Sequence, residues 1–131
     1  MGLFENLFGS TPEDRGNVTE SASWIPLTTL EQLEEITAKS SVKPQLIFKH
    51  SATCGISRMV LNRFKENLAL FKDQMDFYFL DLHSYRAVSQ EVGVRFQVLH
   101  QSPQVLVIKN GITVAHASHG SIPQMDFRKY V

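Results

Sequence analysis

The residues best suited to chemistry in this sequence are Cys54 and Ser57, which lie three positions apart in the stretch HSATCGIS. Cys54 is the only cysteine among the 131 residues. A thiolate attacks disulfides, and a hydroxyl one helical turn away can donate a hydrogen bond to its sulfur. Because the sequence contains no second cysteine, any disulfide at Cys54 must join another molecule, and a thiol from outside must resolve it.

The position of Cys54 favours a reactive thiol over an inert, buried cysteine. The apolar run QLIFK before it predicts a buried strand, and apolar residues at every fourth position after it predict a helix. The amino terminus of a helix stabilises a thiolate, so we expect a pKa below the usual value of about 8.5. Thr53, Gly55 and Ser57 add small, partly polar surroundings.

Composition limits the function classes that need to be considered. The chain has 13 basic and 13 acidic residues, so it lacks the positive field that a nucleic-acid partner requires. No apolar run is long enough to cross a membrane, and the first residues do not resemble a signal peptide. We expect a cytoplasmic protein with a polar, partly disordered leader at 1–23 and one domain at 24–131.

Periodicity along residues 24–131 predicts alternating strands and helices. The expected order is strand–helix three times, then a hairpin at Asn110-Gly111, then a final helix. Thr29 and Gln32 have the spacing of a capping box, Gly93 is expected to end the third helix, and Ser121 is expected to cap the last one. The predicted class is α/β, with a mixed sheet covered by helices on both faces.

Two levels of resemblance follow from these motifs. The element order, with Cys54 opening the second helix, resembles the thioredoxin fold, and TCGIS is then a monothiol form of its Cys-x-x-Cys motif. The stretches DLHSYRAVSQEVGVRF, HQSPQVLVIKNG and HASHG are similar to the monothiol bacilliredoxin family. That family carries proline where Gly55 stands, so the turn at the cysteine is looser here. The resemblance implies reduction of bacillithiol mixed disulfides on client proteins.

The resemblance also implies roles for individual residues. Cys54 would be the nucleophile and Ser57 its hydrogen-bond donor. A cis peptide between Ser102 and Pro103 would expose backbone to a ligand. Dithiol thioredoxins commonly bury a carboxylate where Phe48 stands here. The other candidate substrate-binding residues are Thr53, Gly55, Ser118, His119 and Gly120, the last three for the carboxylates of the bacillithiol malate at a helix amino terminus.

Two other functions remain open at this point. TCGIS is similar to the CGFS of monothiol glutaredoxins, which share an iron–sulfur cluster between subunits, although ASHG lacks their double glycine. A redox-inactive binding module with the same fold is the second alternative. We expect no resident metal, because His116 and His119 span a strand end and a loop without further ligands. The expected partners are bacillithiol, as a thiol co-substrate, and S-bacillithiolated client proteins.

Overall fold

The computed structural model describes residues 24–51 and 55–131. The predicted leader at 1–23, together with Thr53 and Cys54, lies outside the described residues. Within the described part, no helix is both long and apolar enough to cross a membrane.

The described residues form five strands and three α-helices. The strands are β1 (Ile25–Pro26), β2 (Gln45–His50), β3 (Asp76–Asp81), β4 (Gln104–Lys109) and β5 (Ile112–Ser118). The helices are α1 (Glu31–Lys39), α2 (Gly55–Leu68) and α3 (Arg86–Phe96), and short 3₁₀ segments lie at Ala69–Phe71, His119–Gln124 and Phe127–Lys129. The strand order in the sheet is β1-β3-β2-β4-β5.

The sheet is mixed, as predicted. The pairs β1–β3 and β2–β3 are parallel, whereas β2–β4 and β4–β5 are antiparallel. The parallel pair β2–β3 is joined through α2, as a crossover connection requires, and the antiparallel pair β4–β5 is joined by the short Asn110-Gly111 turn. β2 therefore lies at the centre of the sheet, where both of its faces are covered.

Two apolar cores, one on each face of the sheet, confirm the prediction of helices on both sides. Alternation along β2 sends Leu46 and Phe48 to one core and Ile47 to the other. The first core includes α2 residues, namely Val60, Phe64 and Leu68, together with Ile122 and Phe127 from the 3₁₀ segments. The second core includes residues of α1 and α3, namely Leu33, Ile36, Val88, Val92 and Phe96.

Local contacts at two turns agree with the predictions. The Gln32 N–H donates to Thr29 Oγ1 at 3.3 Å and the Thr29 N–H donates to Gln32 Oε1 at 3.0 Å, which is the reciprocal capping box. At the hairpin, Asn110 and Gly111 have φ of 55° and 79°. Positive φ at both central positions is the hairpin geometry that an Asn-Gly pair favours.

The predicted end of the third helix at Gly93 is wrong. α3 continues to Phe96 and ends at Gln97, which adopts the left-handed conformation with φ of 57°. Gly93 has a packing role instead, because a Cβ there would lie 3.1 Å from the carbonyl oxygen of Val98. The Val98 N–H also donates to the Gly93 carbonyl, so the chain turns closely against this residue.

The predicted closing helix, capped by Ser121, is also wrong. The chain forms a six-residue 3₁₀ segment, His119–Gln124, and a second short one after it. Pro123 lies inside the first segment and has no N–H to continue a helical ladder. Burial of Ile122 and Phe127 in the first core holds this end of the chain instead.

Candidate functional site

The candidate site lies at the carboxyl end of β2, where the chain leads into α2. In the sheet register Lys49 pairs with Gln104, and Gln104 pairs with Ser118. The His119 N–H donates to the Pro103 carbonyl at 3.0 Å. The sheet therefore brings Ser118, His119 and Pro103 to the end of β2, although they are far apart in sequence. Cys54 and Thr53 lie outside the described residues, so their roles stay predictions.

Ser57 is the best-defined polar group at this end of the sheet. Its side chain is fully buried, at 0% exposure. Its Oγ accepts a hydrogen bond from the Ser51 N–H at 3.2 Å and lies 2.8 Å from His50 Nδ1. Ser57 is therefore part of a hydrogen-bonded network between β2 and α2, and a role as a surface hydroxyl is excluded.

His50 connects Ser57 to the aromatic side of the sheet. Its ring centroid lies 5.2 Å from that of Phe79 and 6.3 Å from that of Phe48. Burial lowers the pKa of His50; the Asp81 carboxylate opposes this shift and the Arg58 guanidinium adds to it. His50 is therefore held neutral over a wider pH range than a free histidine, and a neutral imidazole both donates and accepts hydrogen bonds.

The loop before β4 has the predicted cis peptide between Ser102 and Pro103. The buried side chain of Gln104 makes two hydrogen bonds to the backbone of this loop. Its Nε2 donates to the Leu99 carbonyl at 3.0 Å, and its Oε1 accepts from the Gln101 N–H at 3.4 Å. Among the described residues, Ser102 Oγ is buried without a hydrogen-bond partner.

On the opposite face of the sheet, two ionisable side chains, Lys49 and His100, contact each other. Lys49 is fully buried, at 0% exposure, and its Nζ lies 3.1 Å from Nδ1 of the exposed His100. Burial lowers the pKa of Lys49 to about 8. Burial, together with the charge of Lys49, also lowers the pKa of His100. Since an ammonium can only donate, Nδ1 of His100 accepts this bond and carries no proton.

The remaining predicted binding residues are accessible. Gly55, His119 and Gly120 are exposed, and nothing lies within 4 Å of the place that a Cβ would occupy on Gly55 or Gly120. His119 has a positive φ of 54° at the start of the 3₁₀ segment. A six-residue 3₁₀ segment offers no α-helix amino terminus, so the predicted physical basis for binding carboxylates at residues 118–120 is absent.

Sequence reasoning missed both His50 and Lys49 as site residues. The available signal was alternation in the predicted strand. His50 follows Leu46 and Phe48 at the same period, so it faces α2, the helix that contains Ser57. Lys49 follows Ile47 into the other core. A charged residue inside an apolar strand requires a partner, and that partner, His100, is 51 residues away.

Comparison with known proteins agrees with this geometry. A solved structure described as a candidate oxidoreductase with a thioredoxin fold is 31% identical, with a TM-score of 0.66, over 76% of this chain and 85% of that one. Thioredoxin from Trypanosoma brucei brucei is 18% identical, with a TM-score of 0.63, over 80% and 85%. Malassezia sympodialis thioredoxin is 20% identical, with a TM-score of 0.62, over 76% and 81%. The last two are evidence for the fold alone.

The fold, the 31%-identical relative and the family match that follows support a thiol oxidoreductase of the thioredoxin fold. The family model "Monothiol bacilliredoxin BrxC" matches residues 25–127. The chain therefore belongs to the monothiol bacilliredoxin family. This membership supports a thiol–disulfide redox function.

Proposed function

We propose that this protein removes bacillithiol from S-bacillithiolated client proteins through Cys54. The observation that carries this proposal is the match to the monothiol bacilliredoxin family over residues 25–127. The presence of a single cysteine in all 131 residues agrees with it, because a one-cysteine protein can exchange disulfides only with other molecules.

The proposed reaction is one thiol–disulfide exchange followed by a second. The Cys54 thiolate attacks the bacillithiol sulfur of the mixed disulfide. The bond from that sulfur to the client breaks, and the client sulfur leaves as a thiolate and takes up a proton. A disulfide between Cys54 and bacillithiol remains. An external thiol then attacks this disulfide, releases Cys54 as a thiolate, and is itself oxidised to a disulfide.

The residues around the end of β2 supply recognition in this proposal. The backbone of Ser102 beside Pro103 pairs with the extended client segment or with the thiol ligand. The His119 N–H donates to the Pro103 carbonyl, and exposed His119, with Ser118 and Gly120 beside it in the sequence, contacts the malate carboxylates through its side chain rather than through a helix amino terminus. Thr53 and Gly55 flank Cys54 in the sequence, and Gly55 leaves open space for an incoming ligand.

The test is adduct formation with bacillithiol disulfide. We expect the reduced protein to gain one bacillithiol unit, visible in the intact mass, and to lose it on treatment with an external thiol. Cys54→Ala should gain none. Ser57→Cys should form the adduct and then release it by closing an internal disulfide. Glutathione disulfide, as the matched oxidant, should react more slowly.

Three outcomes would contradict the proposal. Equal rates with both oxidants would remove the bacillithiol specificity. A coloured, iron-containing dimer after anaerobic purification, inert to the oxidant, would identify a cluster carrier. A colourless protein that gains no adduct with either oxidant would be a redox-inactive binding module.

A further inference from the structure

We infer that His50 is a positioning residue for Cys54: its Nδ1 determines whether the hydroxyl hydrogen of Ser57 is available to the sulfur. This inference rests on the proposed function for two predicted roles, Cys54 as the nucleophile and Ser57 as the hydrogen-bond donor to its sulfur. His50 does not contact substrate in this proposal and acts only through Ser57.

The hydrogen-bond inventory of Ser57 is what makes His50 decisive. A hydroxyl has one hydrogen and two acceptor lone pairs. The Ser51 N–H occupies one lone pair at 3.2 Å. The 2.8 Å contact with His50 Nδ1 uses either the hydrogen or the second lone pair. Because Ser57 is fully buried, water does not compete for these positions.

Two arrangements follow, and they differ in where the hydrogen of Ser57 points. When His50 Nδ1 carries no hydrogen, Ser57 donates to it and has nothing left for another acceptor. When Nδ1 is protonated, Nδ1 donates to Ser57, and the hydroxyl hydrogen is released. Ser57 follows Cys54 by three positions in the sequence, and Cys54 lies outside the described residues, so a thiolate at Cys54 is the acceptor that we assign to the hydroxyl hydrogen.

The change between these two hydrogen-bond arrangements does not require a net charge on His50. Moving the imidazole hydrogen from Nε2 to Nδ1 gives the second arrangement in a neutral ring. A thiolate favours this tautomer, because it then completes a chain of hydrogen bonds from Nδ1 through Ser57 to sulfur. Deprotonation of Cys54 and the tautomer of His50 are therefore coupled, and by linkage the coupling is reciprocal.

The groups that face His50 support a mostly neutral ring. Phe48 and Phe79 pack against it, Asp81 lies opposite it in the parallel register, and Arg58 approaches from α2. Burial is the largest influence and lowers the pKa of His50. His83, after β3, bonds Ser51 Oγ at 2.8 Å and so lies next to the same network.

The first test is a double-mutant cycle on the pH dependence of alkylation of Cys54 by iodoacetamide. His50→Phe keeps an aromatic ring among the phenylalanines and removes Nδ1. We expect it to raise the midpoint by about 0.5–1 pH unit. In a protein that already carries Ser57→Ala, adding His50→Phe should leave the alkylation midpoint unchanged. His116→Phe, on the edge strand β5, is the matched control and should shift nothing.

The second test needs no substitution at His50. Nitrogen-15 NMR of its ring, at a pH above the alkylation midpoint, should show a protonated Nδ1 in the native protein. In Cys54→Ala at the same pH, Nδ1 should be an unprotonated acceptor. The same tautomer in both proteins would overturn the inference, as would a His50→Phe effect of equal size with and without Ser57.

These readouts are independent of bacillithiol. If the alkylation and NMR results hold but no bacillithiol adduct forms, the proposed substrate is wrong and the role of His50 stands. If the adduct forms but the tautomer does not respond to Cys54, the proposed function stands and the role of His50 is wrong.

Discussion

Lys49 and His50 are consecutive residues of β2 that carry ionisable side chains to opposite faces of the same sheet. His50 reaches Ser57 on the side of α2, and Lys49 reaches His100 on the side of α1 and α3. Burial lowers the pKa of both. They differ in the chemistry of the partner. The partner decides whether the base can gain and lose a proton with little change in its hydrogen bonding, or holds a charge that has no complementary group.

Ser57 complements either state of His50, because a hydroxyl donates to a bare nitrogen and accepts from a protonated one. The partner of Lys49 is another base. If both Lys49 and His100 were protonated, two cations would face each other at 3.1 Å. On the α2 face, His50 can therefore gain or lose the proton on Nδ1 while it keeps its hydrogen bond to Ser57. On the opposite face, the buried charge of Lys49 has no anionic partner in its contact with His100, and we expect it to destabilise the fold.

The largest expected effect is that of Lys49→Met. Met has a similar volume and no charge, and replacing a buried ion by a hydrophobic residue is often stabilising. We expect the free energy of unfolding at pH 7 to increase by about 1–3 kcal/mol. Urea denaturation measures it. A loss of stability would mean that the pair with His100 outweighs the desolvation of the amine.

The same variant has a predicted pH dependence. The pKa of Lys49 falls from 10.5 to about 8 in the folded protein, so between these values the unfolded chain holds a proton that the folded chain lacks. Native stability should therefore rise with pH across this window, and below about pH 8 the full penalty remains. Between pH 8 and 10.5 the native protein should gain about 3 kcal/mol relative to Lys49→Met, which cancels or reverses the advantage of the variant. A constant advantage would contradict the lowered pKa.

On the other face, Ser57→Ala should act in the opposite direction. It removes the hydrogen bonds that the buried Ser57 hydroxyl makes with the Ser51 N–H and with His50 Nδ1, which should cost about 1–2 kcal/mol of unfolding free energy. Ser41→Ala is the matched control, because Ser41 is exposed and its hydroxyl donates to the nearby Ala38 carbonyl. An equal loss in both variants would mean that burial of the Ser57 network adds nothing.

The smallest effect is expected for His100→Ala. This change removes the acceptor of Lys49, but His100 is exposed, so water can enter and take its place. We expect a loss of about 0.5–1 kcal/mol at pH 7. Thermal unfolding beside the native protein measures it. A loss as large as that of Ser57→Ala would show that the two faces depend on their pairs equally.

Most of the fold was predictable because its signals are local. The period of apolar residues, the Thr29–Gln32 capping box and the Asn110-Gly111 turn each depend on neighbours within a few positions, and all are confirmed. The two errors, at Gly93 and at the final helix, have different reasons. Gly93 lies against the Val98 carbonyl five positions later, inside a helix that continues to Phe96. At the end of the chain, Pro123 has no N–H to donate, and burial of Ile122 and Phe127 in the first core holds the segment instead.

The candidate site divides in the same way. The sequence alone determined that any disulfide formed by Cys54 must join another molecule, because the 131 residues contain no second cysteine. Only the tertiary structure decided that Ser57 is buried and bonded to His50, and that Lys49 faces His100. Those contacts depend on sheet register and on which side of β2 each residue faces, and a short local window specifies neither their partners nor the loss of water around them.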